Sequence, residues 1–123
     1  MNLYESSEDY LERILMLNKE GKKVRSIDLA KSFNYSRASI SRAINNLADD
    51  GYIDIIDNIL ILTEKGREIA EKMLERHLLL STFFMKIGVS EKNAFEDACK
   101  IEHDMSDETY DKLIKLLKEK KYI

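Results

Sequence analysis

Proline and tryptophan are absent from this 123-residue chain, glycine occurs four times, and there is a single cysteine. Without proline nothing obliges a helix to kink or stop, and with so little glycine and 35% charged residues the composition favours a mostly helical protein. One cysteine excludes an intramolecular disulfide, and a chain of this length can bury a core without one. Long apolar runs are missing as well: no stretch approaches the ~18 consecutive apolar residues of a membrane-spanning helix. No N-terminal segment resembles a signal peptide, so the expected location is the cytoplasm.

A net charge of −3, from 20 basic and 23 acidic residues, argues on its face against nucleic-acid binding. The distribution reverses that. Between Glu20 and Ala48 stand Lys22, Lys23, Arg25, Lys31, Arg37 and Arg42 against Glu20 and Asp28, six minus two, or +4. The acids gather at Glu8, Asp9 and Glu12 and again from Glu91 to Glu108.

Helix signals set the organisation. "SSEDYLERILMLNKEG" offers Ser6 or Ser7 as a cap, apolar Leu11, Ile14 and Leu15, and Gly21 as a stop. A second helix starts at Ser26 and packs through Leu29, Ala30 and Phe33. After the turn "NYS", Ser36 caps a third, in which Ile40, Ala43, Ile44 and Leu47 form an inward stripe. Two short helices joined by a tight turn read as a helix-turn-helix. The β-branched runs in Tyr52 to Thr63 flank the turn pair Asp57-Asn58, which predicts a hairpin wing. Thr63 caps a long helix closed by Gly88, with Ile69, Met73, Leu74, Leu78 and Phe84 at helical spacing. Ser90 caps a helix through His103, and Ser106 caps a last one with an apolar stripe of Tyr110, Leu113, Ile114 and Leu117. The fold class expected is mainly α: an N-terminal winged helix-turn-helix with a small β-hairpin wing over residues 1–70, then a helical domain over 71–123.

With its apolar stripe turned inward, the third helix leaves Arg37, Ser39, Ser41, Arg42, Asn45 and Asn46 outside. Arginine can bridge guanine O6 and N7, and serine and asparagine serve bases or phosphates. With Arg25 and Ser36 at the flanks, the expected DNA-binding residues are Arg25, Ser36, Arg37, Ser39, Ser41 and Arg42. The wing holds Asp54 and Asp57 but no Lys or Arg, so recognition should rest on the helix and its flanks.

"CKIEHDMS", residues 99–106, sets Cys99, Glu102 and His103 at spacings that share one helix face. His77 lies mid-helix, and Asp9 and Glu12 are three apart on the first helix. Singly, each has an ordinary explanation: a small buried thiol, a structural histidine, acids that complement a helix dipole. Together the only cysteine and both histidines of the chain fall in an acid-bearing set, and DNA binding supplies a reason to sense something.

The whole chain, from "SSEDYLERI" through "SRASIS" and "ERHLLL" to "CKIEHDMSDE", resembles the metal-dependent repressor family of the diphtheria toxin repressor and the manganese transport regulators. That resemblance implies a winged-helix homodimer that binds double-stranded operator DNA when loaded with metal, with residues 71–123 as its helical metal-binding and dimerisation domain and the stripe of Tyr110, Leu113, Ile114 and Leu117, helped by the Cys99 helix, as the expected dimer interface, and it assigns Asp9, Glu12, His77, Cys99, Glu102 and His103 to metal-ligand positions. Asp9 and Glu12 match the manganese branch. Ser81 and Phe95 stand where the iron branch needs an acid and a histidine for its ancillary site, Cys99 replaces a glutamate of some manganese regulators, and the iron branch's SH3-like third domain is not expected.

Hard oxygen donors with imidazole suit Mn(II) or Fe(II), while a thiolate pulls toward Fe(II), Co(II) or Zn(II). The expected cofactor is Mn(II), with Fe(II) second and Zn(II) or Co(II) binding in vitro. The expected function is a homodimeric repressor of manganese-uptake genes, not an enzyme and not membrane-bound. The alternatives are an Fe(II)-dependent repressor of the same kind and a metal-independent winged-helix dimer. A metalloenzyme has little support, since no spare general base or H-E-x-x-H spacing is present.

Overall fold

The computed structural model describes residues 5–123 and divides into two compact units, residues 1–72 and 73–123. Its elements are α1 (Glu5–Lys19), α2 (Ser26–Phe33), α3 (Arg37–Asp49), β1 (Ile53–Ile56), β2 (Ile59–Leu62), α4 (Glu64–Lys86), α5 (Glu91–Ile101) and α6 (Asp107–Glu119). The mainly helical class with a two-stranded hairpin is as the sequence predicts.

In the first unit, Leu11, Ile14 and Leu15 of α1, Leu29 of α2, and Ile40, Ile44 and Leu47 of α3 are all buried, the spacing of one apolar face per helix. Asn34 in the left-handed region (φ 58°) ends α2, and Ser36 starts α3 by accepting from the Ser39 N–H at 3.2 Å. β1 and β2 pair antiparallel, Ile53 with Leu62 through Ile56 with Ile59. Asp57 and Asn58 both take positive φ (51° and 64°), as a two-residue primed turn requires and as these residue types tolerate. Val24 bridges to Leu60, whose N–H donates to the Val24 carbonyl at 2.8 Å, so the segment before α2 lies along the wing.

Thr63 caps α4, accepting from the Gly66 N–H at 3.1 Å and donating to the Gly51 carbonyl at 2.7 Å. A Cβ at Gly66 would overlap the Tyr52 carbonyl, so only glycine lets the start of α4 close on the loop that follows α3.

Two boundaries differ from expectation. The cap expected at Ser6 or Ser7 is not there: α1 begins at Glu5, so both serines stand inside its first turn, and serine is tolerated in a helix interior. What precedes lies outside the described residues. α5 ends at Ile101 rather than His103. A continuing helix would need the Glu102 carbonyl to accept from residue 106, but Ser106 caps α6 and that carbonyl accepts from Arg76 instead.

In the second unit, Tyr110, Ile114 and Leu117 of α6 are buried with Leu79, Phe83, Met105, Leu113 and Ile123 packed around them. The stripe expected to meet a partner chain is therefore the core of its own unit. The buried positions of α4 carry Met73, Arg76, His77, Leu80 and Ser81, whereas Leu78 is 54% exposed. Helical periodicity places Leu78 inward, but Arg76 and His77 occupy the inner face, where the Arg76 Nη atoms meet the Glu102 and Met105 carbonyls and the Asp107 carboxylate and His77 Nδ1 faces Glu102.

Candidate DNA-binding and metal-binding sites

On α3 the exposed face carries Arg37, Ser39, Ser41, Arg42, Asn45 and Asn46, one helix turn after another. The Ser36 hydroxyl lies 3.0 Å from that of Ser39 while also capping the helix, so of the two serines Ser39 has the proton left to offer outward. Arg25 stands at the N-cap of α2, its backbone N–H held by the Asp28 carboxylate at 2.8 Å and its side chain exposed.

Two features escape the sequence pattern. Ser26 and Ile27 at the start of α2 share a pocket of about 320 Å³ with Arg37 and Ser41 of α3, so the two helix starts form one surface. A wider groove of about 510 Å³ is lined by Lys22, Lys23, Arg25 and Lys31, with Leu17, Asp28 and Ser32. The basic excess between Glu20 and Ala48 hints at it, but only the fold shows that the cations beside Val24 flank the wing that lacks them.

The second unit assembles a buried donor cluster. His77 of α4 is 2% exposed and Glu102, just past α5, is wholly buried. His77 Nδ1 stands 3.3 Å from Glu102 Oε2 and 3.5 Å from the Cys99 sulfur, and His103 Nε2 stands 3.3 Å from Glu102 Oε1. The two N···O distances exceed the ~2.9–3.0 Å of a well-formed N–H···O bond, while 3.5 Å is ordinary for nitrogen to sulfur. Phe95 sets its ring edge-on to that of His77, the ring centres 4.3 Å apart. Asp9 and Glu12 are one turn apart on α1 in the first unit, Glu12 buried and Asp9 half-buried.

The donor set fits a divalent cation. His77 Nε2 is buried with no hydrogen-bond partner among the described residues. A carboxylate shut away from water beside two imidazoles and a thiol is a costly arrangement that a metal ion would compensate.

Burial also sets the acidity of a tyrosine on α6. Burial first, then the Glu75 carboxylate, pushes the Tyr110 hydroxyl up to about 12, against the opposing pull of the Arg76 guanidinium. Its oxygen has no hydrogen-bond partner among the described residues.

A helix-turn-helix with a basic, polar outer face on one unit and a buried histidine, cysteine and glutamate cluster on the other define a metal-responsive DNA-binding protein. Residues 2–57 match the iron-dependent repressor N-terminal DNA-binding domain, and residues 63–122 match the iron-dependent repressor metal-binding and dimerisation domain. The chain belongs to the iron-dependent repressor family, whose members are metal-dependent transcriptional regulators and not enzymes. It is 39% identical over 112 residues to an uncharacterised HTH-type transcriptional regulator of Methanocaldococcus jannaschii, covering 89% of this chain and 90% of that one. It is 36% identical over 110 residues to the HTH-type transcriptional regulator MntR of Geobacillus kaustophilus, covering 88% and 77%. Among solved structures, a manganese-dependent transcriptional repressor in complex with manganese superposes with a TM-score of 0.80 at 30% identity over 90% of this chain. The chain spans about half of that protein, 52% of its length. Among the described residues no helix is long and apolar enough to cross a membrane.

Proposed function

We propose that the protein is a cytoplasmic, homodimeric repressor that binds double-stranded operator DNA when loaded with Mn(II) and so controls manganese-uptake genes. The observation that carries the metal half is the buried cluster of His77, Cys99, Glu102 and His103. Asp9 and Glu12 complete the ligand set in this reading, which rests for them on the family resemblance. A divalent cation held by ligands from α1, α4 and the end of α5 supplies a fixed link between segments far apart in the chain, and so fixes the spacing of two recognition helices that must enter major-groove faces roughly 34 Å apart.

For DNA, Arg37, Ser39, Ser41 and Arg42 of α3 read the major groove, and Arg25 and Ser36 anchor the flanks. The groove lysines Lys22, Lys23 and Lys31 add phosphate contacts that the acidic wing does not offer. Dimerisation uses apolar side chains that the single chain leaves exposed in the second unit, Leu78, Met85, Ile87 and Leu116 among them, in place of the α6 stripe already buried.

Mn(II) is favoured over Fe(II) because the carboxylates of Asp9, Glu12 and Glu102 are the donors a hard cation takes, while the imidazoles and Cys99 temper that preference. The test is to select duplexes in vitro against the Mn(II)-loaded protein and then titrate binding with Mn(II), Fe(II) under anaerobic conditions, and EDTA. Binding that needs Mn(II) and is lost in EDTA supports the reading. Activation by Fe(II) alone favours the iron-dependent alternative, and binding indifferent to chelator favours the metal-independent dimer. Co(II) tests the thiol directly, since sulfur ligation gives a near-ultraviolet charge-transfer band that Cys99→Ala should abolish.

A further inference from the structure

Arg76 is only 3% exposed, although it is among the largest charged side chains and precedes His77 on the same turn of α4. Burying a guanidinium is costly unless its fork of donors is used and its charge is met. Here Nη1 donates to the carbonyl oxygens of Glu102 at 3.0 Å and Met105 at 2.7 Å, and Nη2 pairs with the Asp107 carboxylate. The guanidinium carbon lies 4.6 Å from the centre of the Tyr110 ring. Every one of these partners falls between Glu102 and Tyr110, the stretch that leaves α5 and enters α6.

Residues 102–105 of that stretch are turn and bend, outside both helices. Asp104 donates to the Ile101 carbonyl at 3.2 Å, and Ser106 then caps the next helix. A connecting turn takes the shape set by whatever satisfies its carbonyls. Arg76 satisfies the carbonyl of the residue whose own carboxylate stands among the donor groups.

We propose that Arg76 is the positioning residue of the metal centre, fixing the backbone from which Glu102 and His103 project and, through Asp107 and Tyr110, seating the first turn of α6 with the same side chain. This rests on the metal-binding reading above. It also divides the labour: the two carbonyl bonds hold the ligand turn, while the Asp107 pair holds α6. Lysine at this position keeps the charge but loses the planar fork that reaches both carbonyls and the carboxylate.

The experiment uses the full chain with Arg76→Lys, Arg76→Met and Asp107→Asn. Mn(II) affinity is measured by calorimetry, Co(II) coordination by its visible and near-ultraviolet absorption, and fold by circular dichroism and thermal unfolding of chelated protein. Arg76→Lys is expected to bind Mn(II) about tenfold or more weakly, the range seen when a ligand's supporting partner is removed, and to change the Co(II) spectrum at near-native helix content. Asp107→Asn is expected to keep the affinity within about threefold with a native Co(II) spectrum, because the carbonyl bonds persist. If Arg76→Met fails to fold, the lysine variant decides. Lower thermal stability of Arg76→Lys with native affinity and a native Co(II) spectrum would make Arg76 a structural residue only and overturn the proposal. A wild-type chain that binds neither Mn(II) nor Co(II) overturns the metal-centre reading itself and this proposal with it, a result distinct from an Arg76→Lys variant that binds as tightly as the wild type.

Discussion

The DNA-binding chemistry of the first unit stands in water, whereas the cluster of the second is largely shut away from it. Arg37, Arg42 and the groove lysines are exposed, while His77, Glu102 and Arg76 are buried. An exposed cation costs nothing to leave unpaired, so the surface can carry several, each contributing a modest and salt-screened share of binding. A buried polar group must be satisfied where it is, so each member of the second cluster constrains its neighbours. The first unit should therefore tolerate loss of a functional side chain and keep its fold. In the second, function and packing are harder to separate.

The sharpest break of that contrast would come at Glu102. Glu102→Gln keeps the shape and removes the charge at the centre of the cluster, and it should weaken Mn(II) binding on the order of hundredfold or more, beyond what loss of a supporting residue costs. Calorimetric titration checks it, and native affinity would mean that the cluster is packing and not a ligand set.

Gly66 shows the opposite case, a tight constraint inside the exposed-chemistry unit. Gly66→Ala drives a methyl group into the Tyr52 carbonyl and should destabilise the fold by about 1–3 kcal/mol, read as a lower urea midpoint at an unchanged slope.

On the DNA face, Arg37→Ala and Arg42→Ala should each lose about 1–3 kcal/mol of operator affinity where the guanidinium is bidentate to a base, with Mn(II) affinity and unfolding midpoint unchanged. Lys23→Gln with Lys31→Gln should act differently, weakening binding to all duplexes and flattening the salt dependence by ~0.9 in log–log slope for each phosphate no longer neutralised. A salt slope equal to wild type would remove the groove from the interface.

The smallest effect is expected at Tyr110. Its folded-state pKa is raised to about 12 from the ordinary tyrosine value of 10.0, so the unfolded chain releases this proton first as pH rises. Stability should be fully present below pH 10 and fall as pH climbs from 10 towards 12, and Tyr110→Phe should remove that slope. Because the hydroxyl has no hydrogen-bond partner among the described residues, the same change should cost little near neutral pH. Chemical unfolding at stepped pH reads both.

Much of the fold is legible because its signals are local. Ser36, Ser90 and Ser106 each accept from the N–H three residues on, and Asp57-Asn58 adopts the turn its composition announces. Leu78 and the α6 stripe depart from expectation because periodicity ranks faces by apolar content and is silent on which face a neighbour covers. α4 turns Arg76 and His77 inward, a choice that depends on carbonyls and a carboxylate some thirty positions away.

The sequence by itself determined the element order, the helix-turn-helix with its hairpin, the basic segment and the residue types able to bind metal, since each follows from spacing within a few residues. Tertiary structure alone decided that His77 meets Cys99 and Glu102, that Lys22, Lys23, Arg25 and Lys31 line one groove, that Gly66 must lack a side chain, and that Arg76 holds the turn bearing Glu102. Apart from the groove, whose exposed cations lie within ten positions of one another, these relations join residues distant in the chain, and most of the buried polar groups among them find partners only in the folded unit.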